Sequence, residues 1–322
     1  MHWKWVLALG ATAAAALVGP AVANAAVVDN GDFETGNLSG WTLDNSPDDM
    51  SAGSWFAYTG TTPPISGMFP GSAPVSPPPQ GNFAAITDQG GPGRRILYQD
   101  ITVPSAGPQY LTLFVYYSTA VDLASPDSLD PAGPFENEQY RIDVMRPTAA
   151  LDSVAPADVL KTVFRTQTGA PHVLAPTKTI VDLASLMGQT VRLRFAEVDN
   201  SGVLNAGTDA VSVDSDLITL GTPRANKKKG TALLPVSVPF PGTLSLSGNG
   251  VAQQSTAPAS KAVAVQAGTT SLLVKATGKK KRKLKRKGKT NVSLTVTYTP
   301  TGTTTPGSET TNVKLKKKRK KK

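Results

Sequence analysis

Three sets of side chains in this 322-residue sequence have types and spacings that could do chemistry. They are an acidic pair near the start, a scatter of aromatics, and two lysine tracts near the end. The acidic pair lies in Asn30-Gly31-Asp32-Phe33-Glu34-Thr35-Gly36-Asn37-Leu38-Ser39-Gly40-Trp41. Asp32 and Glu34 are two residues apart, so on an extended strand their carboxylates share one face while Phe33 points the other way into a core. Two carboxylates beside a glycine, which frees a backbone carbonyl, make an oxygen cage for a hard cation such as Ca²⁺. The plainer reading of the same residues is a solvated acidic turn.

The aromatics could hold a sugar. Its C–H faces pack on flat rings, while Asn, Asp, Gln, Arg or Glu at the rim take its hydroxyls. Candidates are Trp55, Phe56 and Tyr58 in Gly53-Ser54-Trp55-Phe56-Ala57-Tyr58-Thr59-Gly60, with Tyr98, Tyr116, Tyr117 and Tyr140. We assign Trp55, Tyr58, Tyr98 and Tyr140 as the ligand-binding set. Strand alternation places Trp55 and Phe56 on opposite faces, so part of this set must be core.

The lysine tracts are Lys279-Lys280-Lys281-Arg282-Lys283-Leu284-Lys285-Arg286-Lys287 and residues 316–322. Like-charge blocks of this density are usually mobile and often serve as interaction tails. Each lysine near a charged surface contributes on the order of 1 kcal/mol, screened by salt. Lys279, Lys280, Lys281, Arg282, Lys283, Lys285, Arg286 and Lys287 are therefore expected to bind an anionic cell-wall polymer or another polyanion. The bland alternative is that the tracts keep the chain soluble or dock loosely on its acidic part. From residue 224 onward the only aromatics are Phe240 and Tyr298. The stacking platforms of single-strand readers are therefore missing, and specific nucleic-acid recognition is not expected.

Catalysis has little to work with. Beyond His2 the only histidine is His172, and no G-x-S-x-G, H-E-x-x-H or P-loop pattern occurs. Two carboxylates would suffice for a glycosidase, but no spacing singles out a pair. The expectation is a protein that is not an enzyme.

These groups need elements to position them. From Val27 to Leu220 short apolar or alternating runs, such as Leu111–Tyr117 and Val191–Val198, are separated by Pro, Gly, Asp and Ser, an all-β pattern. Residues 63–79 carry seven prolines and read as a long loop. Six more Val-, Leu- and Thr-rich runs follow between 231 and 315, which fits an immunoglobulin-like β-sandwich. Residues 1–25 read as a secretory signal peptide ending Ala23-Asn24-Ala25, and no later run is long enough to span a membrane. There is no cysteine, so an exported chain must rely on core burial or a bound ion. Residues 26–223 hold nine Lys and Arg against 22 Asp and Glu, a net of −13; residues 224–322 hold 23 against one, a net of +22. That reversal marks a domain boundary near Gly221-Thr222-Pro223-Arg224.

The opening stretch, with Pro79-Gln80-Gly81-Asn82-Phe83-Ala84-Ala85, Leu97-Tyr98-Gln99-Asp100-Ile101, Val191-Arg192-Leu193-Arg194-Phe195 and Gly207-Thr208-Asp209-Ala210-Val211-Ser212-Val213, resembles the strands of galactose-binding-like jelly-roll carbohydrate-binding modules. The resemblance covers about residues 27–221. It implies a jelly-roll β-sandwich that binds carbohydrate, with a structural calcium held by Glu34, the carbonyl at Asp32 and the Asp209 side chain. The remainder resembles, more loosely, small C-terminal β-domains of exported proteins from high-GC Gram-positive bacteria.

The expected organisation is thus a signal peptide (1–25), an acidic jelly roll (26–221), a linker (222–230), a basic immunoglobulin-like sandwich (231–315) and a lysine-rich tail (316–322). The expected function is an exported, cell-envelope-associated, non-catalytic binding protein. The alternatives are a structural or adhesive matrix protein that binds no glycan and, further off, a glycoside-processing enzyme.

Overall fold

The computed structural model describes residues 27–46, 53–68, 73–89, 92–215, 217–252 and 262–318. The expected signal peptide and the last four residues of the lysine tail lie outside them. The fold is all-β, and among the described residues the strands form four sheets.

The first two sheets make an antiparallel sandwich. One contains β1 (Thr42–Ser46), β4 (Gly93–Thr102), β9 (Thr190–Asp199), β6 (Gln139–Met145) and β7 (Val159–Arg165), in that spatial order. The other contains β2 (Ser54–Tyr58), β3 (Ala84–Asp88), β10 (Leu204–Asp214), β5 (Tyr110–Thr119) and β8 (Val173–Asp182). Two five-stranded sheets face to face, with sequence neighbours traded between them, form the expected jelly-roll β-sandwich. Alternation explains the core. Leu111, Leu113, Val115 and Tyr117 of β5 and Val191, Leu193 and Phe195 of β9 point inward, joined by Trp55, Phe33 and Trp41. Burying each such side chain contributes about 1.5–3 kcal/mol.

Strand β8 has no counterpart among the expected runs. It contains Pro176 and a largely exposed face, which only a strand at the edge of its sheet tolerates. Strand β10 begins at Leu204, three residues ahead of the stretch Gly207–Val213 singled out in the sequence. A bulge hides the continuity: Ala210 takes φ 49°, and the register to β5 shifts between Asp209 and Ser212.

The other two sheets form a second sandwich. The first holds β13 (Thr231–Val238) with β16 (Gly268–Lys275) on one side. On its other side lie the short β11 (Thr219–Leu220) and β12 (Arg224–Asn226). The second is β15 (Ala262–Val265), β14 (Gly242–Ser247), β17 (Lys289–Pro300) and β18 (Gly307–Lys316). Leu234, Val236, Leu272, Val274, Val292, Leu294, Val296 and Tyr298 fill the space between. One helix, α1 (Gly278–Lys287), links β16 to β17.

The sandwiches touch. The Tyr110 hydroxyl donates to the Thr305 carbonyl, and Asp182 Oδ2 accepts the Thr305 backbone N–H at 3.0 Å. The Lys178 ammonium lies between the rings of Phe114 and Phe240, 5.8 and 5.4 Å from their centroids.

Candidate functional sites

The opening stretch is not a strand, which corrects the geometry that placed Asp32 and Glu34 on one extended face. It is a chain of turns. The Phe33 N–H donates to the Asn30 carbonyl at 3.2 Å and the Gly36 N–H to the Phe33 carbonyl at 2.9 Å, with Asn30 and Phe33 at φ 46° and 56°. Asn30 secures the turn by donating its side-chain amide to the carbonyls of Asn37 and Ser39. Phe33 is nevertheless buried, stacked on Trp41 at 5.6 Å. Gly31 is required for packing, because a Cβ there would lie 2.0 Å from the Val211 carbonyl oxygen, against the bulge of β10.

This turn meets the loop before β3 and the middle of β10. Glu34 Oε1 accepts the backbone N–H groups of Asn82 and Phe83 at 2.8 and 2.9 Å, and these bonds hold its carboxyl below the usual range. Asp209 Oδ2 accepts the Gln80 N–H at 2.9 Å and Oδ1 the Ala210 N–H at 2.6 Å. Burial, with the charges of Glu34 and Asp32, pushes the Asp209 carboxyl up to about 7. Glu34 and Asp209, 175 positions apart, are thus anchored by one short loop. Asp32 is exposed, and its nearest hydrogen-bond partner is the Glu34 N–H at 3.4 Å. Among the described residues no three acidic or histidine side chains gather as a metal-ligand group. A Ca²⁺ ion would therefore rest on Glu34, Asp209 and backbone oxygens, with Asp32 offering its carbonyl. Burial first, and then the neighbouring carboxylates, raise Asp209, and a cation would offset both.

The aromatic assignments need correction. Trp55 and Tyr140 are core: their rings lie 6.0 Å apart, and the Trp55 indole N–H donates to the Arg95 carbonyl. Tyr58 is buried under the loop before β3, its hydroxyl 2.8 Å from that of Tyr116. The apolar lining of a jelly roll needs large rings, and these supply it. Of the four, Tyr98 alone is partly open, and the Arg192 guanidinium covers one face at 4.5 Å while Asp100 holds Arg192 in place. The open ring that sequence reasoning missed is Phe135, 74% exposed on the loop between β5 and β6. An isolated aromatic between Pro134 and Glu136 in an acidic loop was the available signal.

A second group of carboxylates escaped notice because it lies inside the sandwich. Arg95, Glu197 and Asp199 occupy inward positions on β4 and β9, with Glu138, Gln89 and Asp88 around them. Gln89 Nε2 donates to Glu197 Oε1 at 3.2 Å, and Arg95 reaches Asp199 at 3.5 Å. Burial first, and then mutual repulsion with Asp199, drives the Glu197 carboxyl well above its ordinary value; Glu138 rises to about 8 and Asp199 to about 7. Glu197 Oε2 finds no hydrogen-bond partner among the described residues.

In the second sandwich the tract from Lys279 to Lys287 is the ordered helix α1, contrary to the mobile tail expected of such a run. Lys279, Lys280, Lys281, Arg282, Lys283, Lys285, Arg286 and Lys287 all lie on it. The reason is Leu284, which is buried in the core, together with Gly288, whose left-handed conformation (φ 72°) lets its N–H cap the Leu284 carbonyl. Lys280 Nζ donates to the Asn291 carbonyl at 2.9 Å.

No protein family matches the chain by sequence, and no curated protein does. Solved structures match its fold. The carbohydrate-binding module TmCBM61, solved with β-1,4-galactotriose, is 12% identical over 60% of this chain and 100% of its own, with a TM-score of 0.37. The K1 cleaved adhesin domain of Lys-gingipain from Porphyromonas gingivalis W83 is 13% identical over 57% and 96%, with a TM-score of 0.32. A module specific for non-crystalline cellulose, CBM28, is 14% identical over 59% and 96%, with a TM-score of 0.31. These are likenesses of fold alone.

Proposed function

We propose that this chain is an exported, non-catalytic binding protein. Its acidic sandwich takes carbohydrate, and its basic sandwich attaches to an anionic polymer of the cell envelope. The observation that carries the reading is the order imposed on the cations. Eight of the ten residues of α1 are Lys or Arg, held on a packed helix beside a sandwich whose only acidic side chain is Glu309. Such density on a fixed surface attracts a polyanion strongly and in a salt-dependent way.

The sugar half rests on the sandwich fold and on the partly open rings of Tyr98 and Phe135, each beside polar side chains: Asp100 and Arg192 for the first, Glu136 for the second. A structural Ca²⁺ at Glu34 and Asp209 would tie the opening turn to β10 in a domain without disulfides. The test is a pull-down of the full chain on purified envelope polymers and a neutral glycan array at two salt concentrations. Retention on the polymers that falls steeply with salt, with glycan binding that does not, supports both halves. Salt-insensitive retention sinks the electrostatic half, and a blank array sinks the sugar half.

A further inference from the structure

The cations of the second sandwich do not stop at α1. Three basic segments far apart in sequence meet at one end of it. Gly230, at φ +73°, is where they touch: a Cβ there would lie 3.2 Å from both Leu284 of α1 and Lys317 of the tail. The Lys318 N–H donates to the Lys227 carbonyl and the Lys317 N–H to the Gly288 carbonyl, both at 2.8 Å. Beside this junction runs a groove of about 970 Å³ across the outer face of the sheet holding β12, β13 and β16. Pairing across the strands sets its floor, since Leu233 lies opposite Arg224 on one side and Leu273 on the other. Leu233 is 45% exposed, with Leu273 beside it. Arg224, Lys227, Lys228, Lys229, Lys275, Lys317 and Lys318 form the walls. Glu309, the one acid of this half, pairs with Val296, seven residues along β18 from Lys316 and so about 23 Å away.

Resting on the reading that this sandwich holds an anionic polymer, we propose that the groove is the binding site proper and that its ligand is a single-stranded polyol-phosphate polymer. The walls are lysines apart from Arg224, so they offer point charges that bind phosphate without demanding the bidentate geometry of an arginine fork. The leucine floor offers an apolar surface to C–H spacers between phosphates, which an all-charge polymer lacks. No aromatic lines the groove, so nothing there stacks a nucleobase.

The test titrates the full chain with fluorescent poly(glycerol phosphate), inorganic polyphosphate, poly-glutamate and duplex DNA, each at several salt concentrations. The triple variant K227Q/K228Q/K229Q should flatten the salt dependence for poly(glycerol phosphate) by about 2 log–log units, at roughly 0.7 for each phosphate no longer neutralised. L233S should weaken poly(glycerol phosphate) about fivefold, as expected on removing a half-buried leucine side chain, with no change in slope and no change for polyphosphate. Both substitutions are on the surface, and far-ultraviolet circular dichroism checks the fold. If the triple variant binds like the parent, the groove is not the site, whatever α1 does. Equal weakening for both phosphate polymers in L233S overturns the role of the floor. Tighter binding to poly-glutamate or duplex DNA overturns the ligand class while leaving an anion-binding domain intact. Binding to none of the four, or only to a second copy of the chain, fails the broader reading as well.

Discussion

The two sandwiches differ in the sign of their charge and, more tellingly, in where they put it. Among the described residues the acidic sandwich carries seven arginine–aspartate pairs, several inside the fold. Asp143 is fully buried and takes Arg141 at 2.7 and 2.9 Å and Arg194 at 2.5 Å, while Arg194 also donates to the carbonyls of Leu151 and Ser153. Residues 224–322 hold 23 Lys and Arg against one Glu, so that charge has almost no partner within its own half. Charge in the first half specifies structure; charge in the second is available to a partner. Removing a charge should therefore cost stability in the first and binding in the second.

The sharpest break of that comparison is Asp143→Ala. It leaves two arginines facing an apolar gap, and loss of one partner from a buried ion cluster costs about 3–5 kcal/mol. We expect a melting temperature lowered by ten degrees or more. A near-neutral outcome would mean that Arg141 and Arg194 swing out to solvent and that the acidic half also keeps its charge in reserve.

The pH dependence tests the same point without mutation. Glu138, Glu197 and Asp199 have carboxyls raised in the folded chain. They are protonated when folded at pH 5 but largely ionised when unfolded, near 4. Their contribution to stability is fully present below about pH 4 and is lost as pH rises through about 7 and 8, where the folded state must carry buried charge. The melting temperature should fall by several degrees over that span, and Glu197→Gln should flatten the curve. A rising curve would show that Arg95 compensates the cluster fully.

How much of this was legible depended on whether a signal was local. The runs Thr231–Val238, Thr243–Ser247 and Asn291–Tyr298 fall inside or on the observed β13, β14 and β17, because alternation of Val and Leu with Thr and Ser in a half-buried strand is written in adjacent residues. Glu34 and Asp209 could be joined only through the resemblance, since nothing in either segment alone points to the loop at Gln80 that holds both. The internal acids were invisible. In sequence, Arg95 and Glu197 look like surface charges interrupting strands, and only the register of β4 against β9 turns them inward, where Glu138 joins them from just ahead of β6. The lysine helix was misjudged because one leucine among eight cations is a weak periodic signal, yet its burial settles the fold of the segment.

Calcium sharpens the contrast at the opening turn, a place where the acidic half could present charge to an outside partner. An ion that binds only the folded chain stabilises it by about 2.7 kcal/mol at a hundredfold excess over Kd. Ca²⁺ should raise the melting temperature and chelator reverse it, and E34Q or D209N should abolish the shift. An unchanged melt at millimolar Ca²⁺ would leave Glu34 as a cap for the loop at Asn82 and nothing more.

The smallest effect concerns α1 itself. Lys279 and Lys283, Lys281 and Lys285, Arg282 and Arg286, and Lys283 and Lys287 are like charges four apart, each pair costing about 0.2–0.5 kcal/mol. Salt screens that repulsion, and it also screens the exposed ion pairs of the acidic half. The two sandwiches should therefore answer salt in opposite directions. Between 0.05 and 0.5 M NaCl, hydrogen exchange at Leu284 and Gly288 should slow by about three- to tenfold, matching the release of roughly 1 kcal/mol. Amides beside the exposed Arg165–Asp127 pair should hold steady or quicken slightly. If α1 exchanges faster in salt, its cations are already neutralised within the fold, and the outward charge that separates the second sandwich from the first would be an illusion of composition.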